Sequence, residues 1–139
     1  PIFEPQQQYK NRVKLGWIFD TVFEEAHEIF DSLTPALNEK FNRTNRLLGV
    51  NVWQDREGYF INRHLDNPAI DLAIQIYLTE SDVKLGTAFE FNDTILKAQY
   101  KKNCGYLVDN SKKLYHSMNT PIPPGHLRYS LYASWGRVG

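Results

Sequence analysis

From residue 46 to its end the chain is a succession of short apolar runs broken by polar turns. The runs are "LLGVNVWQ", "GYFINRH", "DLAIQIYL", "TAFEFN", "ILKAQY", "GYLVDN", "KLYHSM" and "LRYSLYASW". Each has the length of a strand and is rich in β-branched and aromatic residues. Turn chemistry falls between them, in "DREG" (55–58), "DNP" (66–68), "TESD" (79–82), "NCG" (103–105) and "PIPPG" (121–125). Eight such runs in about 90 residues, with no helix between them, exclude βαβ units and predict a sandwich or barrel.

Ahead of this region, "WIFDTVFEEAHEIFDSL" sets Trp17, Ile18, Val22, Phe23, Ala26, Ile29, Phe30 and Leu33 on one helical stripe. The spacing predicts a helix over 17–33 that covers one outer face of a sheet. His27 with Glu24, Glu25 and Glu28 reads as its solvated side, because helical spacing scatters these residues around the polar face.

The chain has 139 residues, 42% of them apolar and 14% aromatic, enough for one substantial core. A single domain over 1–139 is expected, with 1–45 as helical support and 46–135 as the β core. Sixteen Lys and Arg balance sixteen Asp and Glu, so no global field draws the protein to phosphate backbones or anionic lipid. One cysteine, Cys104, allows neither an internal disulfide nor a zinc site of several thiolates, and reads as a small buried apolar residue. No apolar run approaches the roughly 20 residues of a membrane span and no charged-then-apolar leader opens the chain, so a cytoplasmic protein is expected.

The polar stretch "HLDNP" at 64–68 carries the chemistry. On a strand end, residues at i and i+2 point to the same side, so His64 and Asp66 can grip one ion. One more imidazole would complete the two-His, one-carboxylate face that suits Fe(II) and leaves coordination positions open. Three histidines offer themselves: His27, His116 and His126.

In order along the chain, "HLDNP", "IQIYL", "LGTAFEF", "CGYLVDNSKKLYH" and "LRYSLYASW" resemble the successive motifs of the Fe(II)- and 2-oxoglutarate-dependent oxygenases, in particular the prolyl-hydroxylase-like branch. The resemblance covers residues 46–135. It implies a mainly β fold, the double-stranded β-helix or cupin-like jelly roll, with the N-terminal helix packed on one sheet. It further implies that His64, Asp66 and His116 bind Fe(II), and that Arg128, twelve residues after His116, pairs with the far carboxylate of 2-oxoglutarate. Ser130 and Tyr77 are implied to assist at that carboxylate. The chain departs from the family pattern at Gly86-Thr87, where many members carry Gly-Gly, and at Tyr59, which simple alternation sets on the opposite face from Phe60, Asn62 and His64.

The activity implied is that of a dioxygenase: hydroxylation of a C–H bond with O2, release of succinate and CO2, and ascorbate as an accessory reductant. The substrate expected is a prolyl or other peptide residue, with a free amino acid or other small molecule as the runner-up. A cupin-like metal-binding module without turnover is the rival class, and a structural carboxylate is the rival partner for Arg128. Trp53, Phe89, Phe91 and Trp135 are expected in the core. Room for a lid is confined to residues 38–46 and the Pro-rich turn at 121–125.

Overall fold

The computed structural model describes residues 2–18 and 21–139. Its strands form two antiparallel sheets. The larger contains β1 (Ile2–Tyr9), β2 (Arg12–Ile18), β3 (Asn45–Asp55), β10 (Arg128–Arg137), β5 (Leu72–Tyr77) and β8 (Gly105–Asp109), in that spatial order. The smaller contains β4 (Ile61–His64), β9 (His116–Met118), β6 (Ala88–Phe91) and β7 (Thr94–Lys97). This is the double-stranded β-helix that the resemblance implied, and each of the eight runs contains a strand.

Alternation along the central strands sorts their side chains. On β5, Gln75 and Tyr77 point between the sheets, and on β10 Arg128, Ser130 and Tyr132 share a face by the period of two. The opposite face of the large sheet is apolar. There Val50, Leu72, Ala133 and Trp135 pack against Phe30 of α1 (Thr21–Ser32) and Leu37 of α2 (Thr34–Phe41). The Trp135 indole N–H donates to Thr34 Oγ1 at 3.0 Å, which satisfies its one polar atom. Burying a side chain of this kind contributes about 1.5–3 kcal/mol.

Two features of the N-terminal region differ from the sequence reading. The predicted helix over 17–33 begins only at Thr21, and residues 2–18, expected as helical support, form a hairpin that widens the large sheet. Trp17 and Ile18 fit the helical stripe by spacing, but they pair with Phe3 and Ile2 across the hairpin, and ladder pairing outweighs a periodicity carried by two residues at the end of a pattern. The partner strand, "IFEPQQQY", has no alternating apolar signal, and its proline is accommodated by a register shift between Pro5 and Gln7. Phe19 and Asp20 lie outside the described residues, as do the side chains of Val22 and Phe23. Farther along the stripe Phe30 is buried, whereas Ile29 and Leu33 are exposed; Glu24, Glu25, His27 and Glu28 face solvent as expected.

Neither candidate lid is free. Residues 38–46 run from α2 into β3, and the Asn38 side chain accepts from the Asn45 N–H at 2.9 Å and donates to the Asn45 carbonyl at 3.2 Å. The Pro-rich turn is tied to the chain beside Tyr59, where the Ile122 N–H donates to the Tyr59 carbonyl at 3.0 Å and Ile122 is buried. Among the described residues no helix is long and apolar enough to cross a membrane.

At the end of the large sheet where β3 and β5 begin and β8 and β10 finish, Arg43 forks onto Asp109 at 2.7 and 2.8 Å and reaches Asp71 at 3.2 Å. The Arg43 guanidinium leads the interactions that hold the Asp109 carboxyl down, to about 2. A depressed carboxylate stabilises the fold above its ordinary value of 3.8 and loses that contribution as the pH falls towards about 2. With solvent screening, the contribution is about 1 kcal/mol. Urea unfolding between about pH 5 and about pH 2 should therefore show stability falling more steeply for the natural chain than for Asp109→Asn, the two converging at the acid end. Parallel profiles would show that the ion pair contributes nothing.

Candidate metal centre and its cavity

Strand pairing sets the two histidines opposite each other. In the small sheet His64, the last residue of β4, is in register with His116, the first of β9, and their rings lie 4.3 Å apart between centroids. Asp66 follows β4 by two residues and turns back onto them. Its Oδ1 is 3.1 Å from His116 Nε2 and 3.8 Å from His64 Nε2. One donor atom from each of the three side chains falls within 4.8 Å of the others. Among the described residues this is the one cluster of its kind.

Both rings are oriented by their far nitrogen. His64 Nδ1 lies 2.7 Å from the Asn62 carbonyl and His116 Nδ1 lies 3.1 Å from the Leu114 carbonyl. A proton on Nδ1 satisfies each carbonyl and leaves Nε2 as a lone-pair donor aimed at the common point, the arrangement that tunes and orients metal-ligating imidazoles. Two imidazoles and one carboxylate on adjacent strand ends are a donor set suited to Fe(II) with positions left open. His27 and His126, the other candidates for the second imidazole, are not part of the cluster.

Protonation is coupled here. Burial pushes the Asp66 carboxyl up, but the His116 hydrogen bond and charge, with help from Asn110 and His64, outweigh it and hold the carboxyl below its ordinary value. Burial pushes His116 down, while its bonds to Asp66 and the Leu114 carbonyl prevail and raise it.

The cluster opens into a cavity of about 310 Å³ between the two sheets. Phe89, Met118 and Ile61 of the small sheet face Gln75, Tyr106, Val108 and Tyr132 of the large one across it. At the buried end stand two guanidiniums, Arg12 and Arg128. Arg128 is 2% exposed, its Nε donates to Asp55 Oδ2 at 2.9 Å and one of its terminal nitrogens donates to the Leu85 carbonyl at 2.5 Å. Arg12 donates to the two oxygens of the same carboxylate at 2.5 and 3.2 Å, and its guanidinium lies over the rings of Trp53 and Tyr59 at 4.6 and 4.5 Å. Burial lowers the Arg12 guanidinium, but the charge and hydrogen bonds of Asp55 raise it above its ordinary value. The structural carboxylate considered for Arg128 is thus present, as Asp55. Among the described residues one carboxylate serves the two guanidiniums, which leaves a positive charge in excess, and burying such an excess beside Arg128 is costly unless a further anion meets it.

Tyr77 and Ser130 lie behind the wall of this cavity. The Tyr77 hydroxyl accepts the Thr87 N–H at 2.9 Å, Ser130 Oγ accepts from Gln75 Nε2 at 2.8 Å, and both Thr87 and Gln75 line the cavity. The Tyr106 hydroxyl donates to Gln75 Oε1, and burial pushes the Tyr106 phenol up, so it stays a neutral donor at physiological pH. A Cβ on Gly86 would sit 1.9 Å from the Ala98 carbonyl oxygen, which explains why glycine is kept there while the next position admits Thr87.

Three sequence expectations change. Alternation from His64 put Tyr59 on the wrong face, but the ladder shifts register between Ile61 and His64, so Tyr59 and Ile61 line the cavity together with His64 while Phe60 is exposed. Of the four aromatics expected in the core only Trp135 is fully buried; Trp53 and Phe89 line the cavity and Phe91 is exposed. Cys104, read as buried, is half-exposed. Asp55, Gln75 and Tyr106 lie beyond the sequence reading, although Gln75 is legible as the polar residue within the apolar stretch "LAIQI". Arg12 left no such signal, because it precedes the recognisable strands.

No protein-family model matches the chain, and no curated protein matches it in sequence. Its fold does match solved structures. A prolyl-4-hydroxylase from Pseudomonas putida is 18% identical, with 99% of this chain and 78% of that one covered at a TM-score of 0.70. HygX from Streptomyces hygroscopicus, solved with nickel and 2-oxoglutarate bound, is 11% identical over 92% and 70% of the chains at 0.68. A prolyl hydroxylase from Trichoplax adhaerens, solved with a hypoxia inducible factor peptide fragment, is 16% identical over 96% and 70% at 0.66. The fold is that of the 2-oxoglutarate- and Fe(II)-dependent oxygenases, and it resembles their prolyl-hydroxylase-like members.

Divalent metal should bind at this cluster in competition with protons. Because the His116 imidazole is raised above its ordinary 6.5, protons begin to displace metal at a pH higher than an unperturbed histidine would allow. Nickel(II) titrations followed by calorimetry should lose affinity steadily between about pH 8 and about pH 6, and Asp66→Ala should remove binding at every pH. Affinity that ignores pH, or survives Asp66→Ala, would place the metal elsewhere.

Proposed function

We propose that this chain is an Fe(II)- and 2-oxoglutarate-dependent dioxygenase that hydroxylates a C–H bond, with a prolyl or other peptide residue as its substrate. The observation that carries the reading is the single cavity joining a two-histidine, one-carboxylate cluster to two guanidiniums, Arg128 buried and Arg12 partly so, with one carboxylate between them. A dicarboxylate matches that layout: one end beside the metal, the other beside the surplus positive charge. Similarity to a hydroxylase solved with a peptide supports the substrate class.

His64, Asp66 and His116 would hold the iron through two Nε2 atoms and one carboxylate oxygen. Iron held there supplies the redox chemistry that lets O2 react with a C–H bond, one oxygen atom ending in the new hydroxyl and the other in succinate as CO2 leaves. Arg128 meets the far carboxylate of 2-oxoglutarate with the part of its fork not committed to Asp55 and Leu85, and Arg12 adds charge from the same end. Gln75, held between Ser130 and Tyr106, presents a fixed amide to the bound acid, with Tyr77 and Thr87 supporting that wall. Val108, Phe89, Met118 and Ile61 exclude water around it, which protects a reactive centre from side reactions. No side chain needs to act as acid or base; orientation and shielding are the protein's contribution.

Purified protein supplied with Fe(II), ascorbate, O2 and 2-oxoglutarate should release succinate slowly even without a prime substrate, and His116→Ala should stop it. Arg128→Lys keeps the charge but loses the fork, and should raise the KM for 2-oxoglutarate about 10- to 100-fold with a smaller change in kcat. A metal-binding module without turnover would give no succinate from the natural chain under any of these conditions.

A further inference from the structure

We infer that the groove on the outer side of the metal-bearing loop binds an acidic segment of a peptide substrate. The inference rests on the oxygenase reading for its purpose but on separate residues for its evidence. The groove has a volume of about 700 Å³, and it shares Asp66, Asn67 and Ile70 with the metal cavity, so the loop after His64 forms a wall of both. A chain lying in the groove is therefore one loop-width from the cluster.

Its apolar contribution comes from Leu48 and Leu65, 42% and 40% exposed. Its charge is positive. Arg46, Lys113 and Arg137 line it together with two acids, Asp66 and Asp71. Both acids are already engaged: Asp66 with His116, and buried Asp71 with Arg43 at 3.2 Å, Arg137 at 3.3 Å and Asn45 at 2.8 Å. Among the described residues Arg46 and Lys113 form no ion pair. In a chain whose charges sum to zero, this local surplus belongs to the groove and not to the composition.

The chemistry favours a peptide over nucleic acid. Single-stranded nucleic acids are held by bases stacked on aromatic rings, and no aromatic side chain lines the groove. Carboxylates spaced along an extended chain, with an aliphatic residue among them, match two cations without an ion pair in a groove that also exposes Leu48 and Leu65.

The test uses the full chain loaded with Mn(II) and 2-oxoglutarate, and three fluorescently labelled degenerate peptide pools of equal apolar content. Each peptide is about 12 residues long and carries about four acidic, four basic or four glutamine positions. Anisotropy should show the acidic pool binding about tenfold tighter than either of the others, with the preference fading as salt rises. Arg46→Glu with Lys113→Glu should erase that preference, and Arg46→Gln with Lys113→Gln should reduce it part-way; both pairs are exposed and outside the metal site, so succinate release without substrate should be unchanged. Equal binding of the three pools, a preference that survives the charge reversal, or an oligonucleotide that displaces the acidic pool at lower concentration than unlabelled acidic peptide would each overturn the inference. If the acidic preference and its loss are both seen while no variant or natural chain releases succinate, the groove stands and the oxygenase reading falls.

Discussion

A buried carboxylate shared by two guanidiniums sets the polarity of the barrel. Asp55 is wholly inaccessible, it closes β3, and it is in register with Arg128 at the start of β10 and with Arg12 at the start of β2. Three strands of the large sheet are thus pinned at one point by charge-assisted hydrogen bonds. Removing one member of a buried pair costs about 3–5 kcal/mol, because the remaining charge is stranded. Among the described residues, two positive charges there face one negative charge.

The other end of the cavity obeys a different constraint. His64 and His116 meet because β4 and β9 pair in register, and their Nε2 atoms converge because each Nδ1 is spent on a backbone carbonyl two residues earlier in the chain. Asp66 completes the cluster from a loop, where its side chain is 20% exposed. The sheets therefore carry the two imidazoles and the deep cations, while Asp66, on a loop, also borders the outer groove.

Much of this is legible in the sequence. The eight β-rich runs point to a sandwich or barrel, because Gly, Asn, Asp and Pro fall at the breaks and no helix intervenes. "HLDNP" with His116 and Arg128 pointed to the cluster and to the deep cation. What escaped reading did so for physical reasons. The N-terminal hairpin is hidden because "IFEPQQQY" forms a strand by pairing and not by pattern, so Arg12 on its partner strand carried no signal. Tyr59 was set on the wrong face because a register shift is invisible to a rule of alternation. Asp55 looked like a turn residue in "DREG", and only the ladder reveals that it ends a strand beneath two arginines.

The central claim is that metal and dicarboxylate occupy one cavity and depend on each other. Calorimetric titration of 2-oxoglutarate into the protein with and without Mn(II) tests it most directly. Tight binding that requires the metal, and that is lost in Arg128→Ala while the metal itself still binds, is the result expected. Binding of 2-oxoglutarate that is equally strong without metal, or its absence when the metal is bound, would contradict the account.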